Sequence, residues 1–499
     1  MPIQTQFSTD PNAIVTVHVS IIEAPTPINY QRTGAFVSFG ATTMTSGDTE
    51  LLTQLSDLNQ WLQPPMAITS AVWAAGVVTV TTTANLPGPP TIGDTFHLEI
   101  TGFTPTGYNG YFTCTVTGVK TFTYPLVSSP GTTSVMGTAT LQNANELSQM
   151  ATTYFGQGNM IGPWILELGY QSSINNKVTA LQTWLNNNPK TIYGFLMPRE
   201  FGSDPLAIPA WPGLPTPAPA PTAWMNLLKQ YQAPEKMEYF WITVLPTTML
   251  TLGPTYKNVI QMVEAPTLYD PAGANLLDSS GEFTLAAMFY NAIAFRPSNT
   301  NRVAPMAFKY VYGVTQYPQK NNGPLLVSFK AANTNYISTG AEGGISFTMV
   351  YEGVTLDGHD YFNWWYTIDW VQIEINLNLS NAIINGSNNP LAPLYYNQDG
   401  INYLQTVLYD TMVSASTFGM VLGHIKMTVY DGPNLTNAIN GGEFAGECDV
   451  NAVPFLNYTL ANPGDYKIGE YDGLSTLFIP ARGFIHILVN VVATDLVSL

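Results

Sequence analysis

The sequence predicts an α+β chain of several domains, with helices and strands mixed in α/β layers. Three observations carry this. At 499 residues the chain exceeds what one core of roughly 100–200 residues can organise. Helical and strand periods alternate from residue 145 to residue 245, as in a layered sheet with some parallel pairing. Residues 66–143, by contrast, lose the helical period altogether.

In chain order, residues 13–23 are β-branched and partly alternating, a strand stopped by the Ala-Pro-Thr-Pro run at 24–27. Residues 36–40 form a second short strand. Leu51, Leu52, Leu55, Leu58 and Leu62 predict a helix over 49–62, ended by Pro64 and Pro65. Between 66 and 143, Thr, Val and Gly dominate. Short alternating strands recur at 77–82, 95–100, 111–117 and 121–124, with turns at Gly93, Gly107, Gly110 and Gly118. That spacing predicts a small β-sandwich. The flanks read as one interrupted domain, so the sandwich is an insertion whose ends lie close together. Helices follow at 145–158, 178–187, 223–230 and 283–293, and strands at 164–169, 191–197 and 239–245. Seven prolines between 205 and 221 make an extended loop.

The organising stretch is 301–423. Tyr361, Trp364, Trp365, Ile368, Val371, Ile375, Leu379 and Ile383 share one helical face, and Ile401, Leu404, Leu408, Met412 and Ala415 share another. A proline-containing loop at 385–393 separates the two helices, and Asp399 is the expected N-cap of the second. A β-rich end closes the chain, with strands at 424–430, 476–480 and 483–493.

Composition excludes several function classes. A net charge of −17 without any basic run argues against nucleic-acid binding. It also makes like copies repel at long range, so assembly must rest on short-range contacts. Charged residues are only 10% and apolar ones 45%, a surface suited to packing against other proteins rather than a disordered chain. Cys114 and Cys448 fall in segments assigned to different domains, which predicts reduced thiols. No basic segment with an apolar core opens the chain, and no run of about 18 apolar residues occurs, so neither a signal peptide nor direct membrane insertion is expected.

Candidate chemistry is sparse. Asp357, His359 and Asp360 are the one acid/histidine cluster. They would suit a hydrolase or metal site, but a turn capping the next helix explains them better. Residues 270–282 loosely suggest a calcium loop without its alternating oxygen ligands. Neither a phosphate-binding Gly-Lys pair nor a Gly-x-Ser-x-Gly nucleophile elbow is present. Trp364, Trp365 and Trp370 are a ligand platform or, at helical spacing, core or subunit interface. No catalytic, cofactor-binding or metal-binding residue is therefore assigned. The terminal strands remain, with Ile14, Val15, Val17, Val19 and Ile21 at one end and Phe484, Ile485, Ile487, Val489 and Val491 at the other. They are either ordinary strands of their own sheet or ribbons lent to the open sheet edge of a neighbour.

The order of motifs points further. A Lys-Ala-Ala-Asn-Thr-Asn-Tyr run at 330–336 comes first, then a Gly-Val-Thr-Leu-Asp-Gly turn at 353–358 and the Asp369-Trp370 helix. A Tyr-Asn-Gln-Asp-Gly-Ile run at 396–401 follows, leading into the second helix. This order resembles the C-terminal core of tail sheath proteins from contractile-tailed bacteriophages (myoviruses). The likeness runs more weakly over the rest outside 64–143. The insert resembles a small immunoglobulin-like module of phage structural proteins. The resemblance implies a sheath-type fold: an N-terminal arm strand (1–28), a discontinuous α/β domain (29–65 and 144–300) and an inserted Ig-like sandwich (66–143). A C-terminal α+β core (301–482) and a C-terminal arm strand (483–499) complete it. It implies a homo-oligomeric helical sheath in the virion, assembled in the host cytoplasm through exchanged terminal strands. Its further partners would be a tail tube protein and baseplate and tail terminator proteins. The alternative is another virion part, such as a baseplate or adsorption protein, with Tyr108, Tyr111 and Tyr124 as a glycan platform on the insert.

Overall fold

Strand β1 (Gly34–Ser38) is buried at all five positions and has a parallel neighbour on each side, so it is the centre of the main sheet. The computed structural model describes residues 30–88, 91–202, 222–233, 236–246, 249, 256–265, 281–298, 306–318, 323–339, 347–357, 361–429 and 448–483. Its helices and sheets make it α+β.

After β1, β2 (Thr49–Leu51) pairs antiparallel with a later strand, and only a six-residue 3-10 helix, Leu55–Gln60, follows. The helix expected over 49–62 is therefore not formed. Leu51 and Leu55 stay exposed, and Asp57 instead accepts from Thr53 N, Thr53 Oγ1 and Gln54 N, which locks a tight turn.

The next six strands are β3 (Met66–Ala74), β4 (Val77–Thr82), β5 (Thr95–Thr101), β6 (Gly110–Gly118), β7 (Thr121–Pro125) and β8 (Thr138–Leu141). They close into one barrel in the order β3-β4-β7-β6-β5-β8 rather than stacking as two sheets. Alternation sends Val78, Val80, Phe96, Leu98, Ile100, Val116 and Phe122 inward and mostly threonine outward. One-sided alternation fits a sandwich or a barrel equally. What decides is that β8 pairs with both β5 and β3, leaving no free edge. Met66 pairs with Ala139, so the chain enters and leaves at one place.

Helix α1 (Gln142–Phe155) leads to β9 (Trp164–Glu167), α2 (Ile174–Asn187), β10 (Gly194–Leu196), α3 (Thr222–Gln230), β11 (Tyr239–Val244), β12 (Val259–Val263) and α4 (Thr284–Ile293). The sheet runs β12-β11-β10-β1-β9-β2, parallel except for β2. Phe36, Ile165, Leu196 and Trp241 pack in the core that holds α1 and α4. Ala35, Val37, Leu166, Phe195 and Phe240 pack in the one that holds α2 and α3. Both faces are thus covered, as a parallel sheet requires. Helix α4 lies so close that a Cβ on Gly34 would come within 2.7 Å of the Phe289 ring, and one on Gly194 within 2.9 Å.

Beyond it come α5 (Gly323–Ala331), the hairpin β13 (Tyr336–Thr339) and β14 (Thr348–Tyr351), then α6 (Phe362–Ser387) and α7 (Gln398–Thr417). Helix α6 continues to Ser387, into the stretch expected as loop. It is buried nearly all round in its first half, through Phe362, Tyr366, Asp369, Trp370 and Ile373 as well as Val371 and Ile375. Asn397, not Asp399, caps α7, its side chain accepting from Gly400 N at 2.9 Å, and Asp399 sits in the first turn. The strands β15 (Val421–Leu422), β16 (Ile425–Thr428) and β17 (Cys448–Ala452), short helices α8 (Phe455–Ala461) and α9 (Pro463–Ile468), and strands β18 (Leu474–Leu477) and β19 (Ile479–Pro480) complete the described chain. They form a three-stranded sheet, β16-β17-β18, and the pair β15-β19. Both cysteines are free and buried.

Candidate functional site

From β1 the chain goes first to β9 on one side and then to β10, β11 and β12 on the other. Strand order reverses at β1, and a parallel sheet of this kind binds ligands outside the carboxyl ends of its strands at that point. The carboxyl ends of the parallel strands do hold charged residues, namely Glu167, Arg199 and Glu264.

Arg199 is 1% exposed and Glu264 is fully buried. The Arg199 guanidinium donates from Nε to Glu264 Oε2 at 2.7 Å and from Nη2 to Glu264 Oε1 at 2.9 Å, a bidentate pair. Nη1 donates to Gln149 Oε1 at 2.8 Å, Nη2 also to the Glu282 carbonyl at 2.7 Å, and the Arg199 amide to Glu146 Oε1 at 2.8 Å. The guanidinium carbon lies 4.5 Å from the centre of the Phe283 ring. Burial pushes the Glu146 carboxyl up to about 7 against the opposing pull of Arg199. Burial likewise raises Glu282, opposed by bonds from Thr284 and Thr315. The space left between Ser38, Asn143, Glu146 and Pro198 is about 10 Å³, room for one water at most. Helix α1, entering straight from the barrel, fills the crevice, and its Glu146 and Gln149 side chains are bonded to Arg199.

A larger open groove of about 500 Å³ runs beside α2, lined by Ser46, Gln171, Asn176, Thr183, Trp184 and Asn188 among others. None of its lining side chains titrates near neutral pH, so it offers no acid or base.

The motif residues prove to be braces. Asn335 Nδ2 donates to the Gln261 and Val354 carbonyls, each at 2.9 Å, and its Oδ1 accepts from Val354 N at 2.9 Å. Gln261 on β12 donates in turn to the Ala332 carbonyl and Thr334 Oγ1. These bonds tie the edge of the parallel sheet to the 330–354 segment. Asp369, fully buried on α6, accepts at Oδ2 from the hydroxyls of Tyr193 (3.0 Å) and Tyr239 (2.8 Å), while its Oδ1 has no partner among the described residues. Desolvation by burial raises its carboxyl to about 6, opposed by the Lys257 charge and the two hydroxyls.

Asp357 is bonded on its own side of the turn. Its carboxylate accepts from Thr355 Oγ1 and Trp365 Nε1. His359 and Asp360 lie outside the described residues, as do Ile14, Val15, Val17, Val19, Ile21, Phe484, Ile485, Ile487, Val489 and Val491. Of the calcium-like stretch only Gly281 and Glu282 are described. Tyr108, on a 3-10 turn before β6, and Tyr124, on β7, are 2% and 1% exposed in the barrel's core, and Tyr111 is half-buried, so the three rings do not form the expected exposed glycan platform. Among the described residues no group of three His, Cys, Asp or Glu side chains is placed to hold a metal, and no helix is long and apolar enough to cross a membrane.

Sequence reasoning missed Arg199, Glu264 and Glu167. A signal existed, because each is a charge within or just after an apolar strand pattern in a chain with only 10% charged residues.

No family model matches this chain. No curated protein matches it either. Among solved structures it is similar to a sheath tail protein from Listeria innocua, at 10% identity and a TM-score of 0.36, over 78% of this chain and 85% of that one.

Proposed function

We propose that this chain is a structural subunit of a contractile bacteriophage tail sheath. Copies polymerise helically around a tail tube, joined by terminal strands centred on residues 14–21 and 484–491. They contract by near-rigid movement to a lower-energy packing, driving the tube through the host envelope. Tube, baseplate and terminator proteins are the remaining partners. The observation that carries the reading is the filled switch-point crevice: where a sheet of this order would take a ligand, Arg199, Glu264, Glu146 and Gln149 bond to each other. The motif order of the sequence adds to it, because Asn335 and Asp369 are braces suited to a body that moves as one piece. The barrel, entering and leaving at one place, is a decoration on the outer surface.

Negative-stain electron microscopy of the purified chain tests this. Helical tubes with a wide lumen are expected. Truncation of residues 1–23 or 484–499 should give soluble monomers, whereas deletion of 66–143 should leave tubes. Long ordered cylinders from either truncation would overturn the strand-exchange joint. Absence of any tube from the full chain would favour another virion part.

A further inference from the structure

Glu167, the last residue of β9, is fully buried, and five donors converge on it. Its Oε2 accepts from Ser38 Oγ at 2.6 Å, Thr42 Oγ1 at 2.7 Å and Thr42 N at 3.2 Å. Its Oε1 accepts from Gly40 N at 2.6 Å and Gly169 N at 2.7 Å. No ammonium or guanidinium is in that set. The two hydroxyls are pre-set as donors, because Ser38 Oγ accepts from Ala41 N and Thr42 Oγ1 accepts from Met44 N, which turns each hydroxyl proton toward the carboxylate. The loop turns on Gly40 at φ +84, where a Cβ would also meet the Tyr170 backbone at 3.2 Å. Successive inward N–H groups around such a glycine form an anion-binding concavity. The loop follows the first strand of the parallel sheet at its carboxyl end, where sheets of this kind hold anionic ligands.

We propose that residues 38–42 and Gly169 form an oxyanion cradle that the chain keeps filled with its own Glu167 carboxylate. The ligand class it accepts is the small carboxylate or phosphate, and it is closed to both in the intact protein. Cutting Glu167 back to alanine leaves the five donors facing a gap the size of acetate. The assignment is independent of how copies assemble.

The test is thermal unfolding of the full chain and of Glu167→Ala in sodium acetate, in inorganic phosphate, and in sodium chloride at matched ionic strength. Glu167→Ala is expected to melt lower in chloride and to recover in acetate. Acetate at ten times its dissociation constant shifts the folding equilibrium about 11-fold. The intact protein should melt alike in acetate and chloride. Recovery in phosphate but not acetate would assign the cradle to phosphate. An equal acetate response in both proteins, or no response of the variant to either acetate or phosphate, overturns the proposal. If Glu167→Ala does not fold in any salt, Glu167→Gln decides. It keeps the shape but sets an amide N–H₂ against donors, so it should melt well below the intact protein, and equal melting overturns the cradle.

Discussion

At the carboxyl end of the parallel sheet, Arg199 and Glu264 are buried together and each is bonded in full view of the other's charge. On helix α6, Asp369 is buried as deeply, but its hydrogen bonds come from two tyrosine hydroxyls, the Lys257 charge adds to them, and one of its oxygens has no partner among the described residues. The two regions bury the same kind of group and differ in compensation. Where a cation supplies it, the cost of removal falls on whatever charge is left behind. Where hydroxyls supply it, the carboxyl is raised and the proton becomes the missing partner. The Arg199–Glu264 pair should break by mutation at any pH, and Asp369 should respond to pH.

The largest effect is expected at Arg199. Arg199→Met leaves Glu264 buried without its cation, a loss of about 3–5 kcal/mol. Urea unfolding monitored by circular dichroism should show it as a lowered midpoint with unchanged slope. Adding Glu264→Gln should restore most of the loss, since the stranded charge is then gone. A loss below about 1 kcal/mol in the single variant would mean that water reaches the pair, and the contrast with Asp369 would collapse.

How much of this was legible in the sequence follows from the same contrast. Apolar periods located β1, β9, β10, β11, α1, α2, α4, α6 and α7, because burial imposes a period on neighbours in sequence. They missed α5 and β12, which lie at the border with the 330–354 segment. They also mistook the 51–62 leucines for a helix, where edge pairing with β9 and the Asp57 turn decide instead. Four of the barrel's six strands, β4 to β7, were legible, but β3 and β8 were not, and closure rests on these two pairing across more than 70 residues. The polar sites were the least readable. Ser38 and Glu167 lie 129 residues apart, and Tyr193 and Asp369 lie 176 apart. No local pattern records which of two distant lone polar residues will meet.

Asp369 comes second in size and sharpens the comparison through pH. Its folded carboxyl titrates at about 6, above the ordinary 3.8 it has in the unfolded chain. Above about pH 6 both states are ionised, and the folded state bears the full cost of a desolvated charge. Between about 6 and 4 the folded state takes up a proton that the unfolded state does not, so stability rises as pH falls through that window. The shift corresponds to a gain on the order of 3 kcal/mol. Glu146, raised to about 7, adds to the rise in the same direction. Asp369→Asn keeps an oxygen that can accept from Tyr193 and Tyr239 but carries no charge. It should equal or exceed the intact protein in stability at pH 7 and gain less on acidification to pH 5. Identical pH profiles for the two proteins would show that the carboxyl does not titrate in this range.

The smallest effect is expected at Asn335, and it separates charge from hydrogen bonding. This side chain braces the sheet edge with three bonds to main-chain groups and carries no charge at any pH. Asn335→Ala leaves the Val354 N–H without its partner and deprives the Gln261 and Val354 carbonyls of a donor, a loss of about 1–3 kcal/mol. Because nothing at this brace titrates, the loss should be the same at pH 5 and pH 7. Asn335→Asp is the harder trial. It keeps the acceptor for Val354 N but turns a carboxylate oxygen against two carbonyls, so it should cost more than alanine at pH 7 and recover in acid. If Asn335→Asp is tolerated at pH 7, the brace is open to solvent and is no measure of what burial costs a charge.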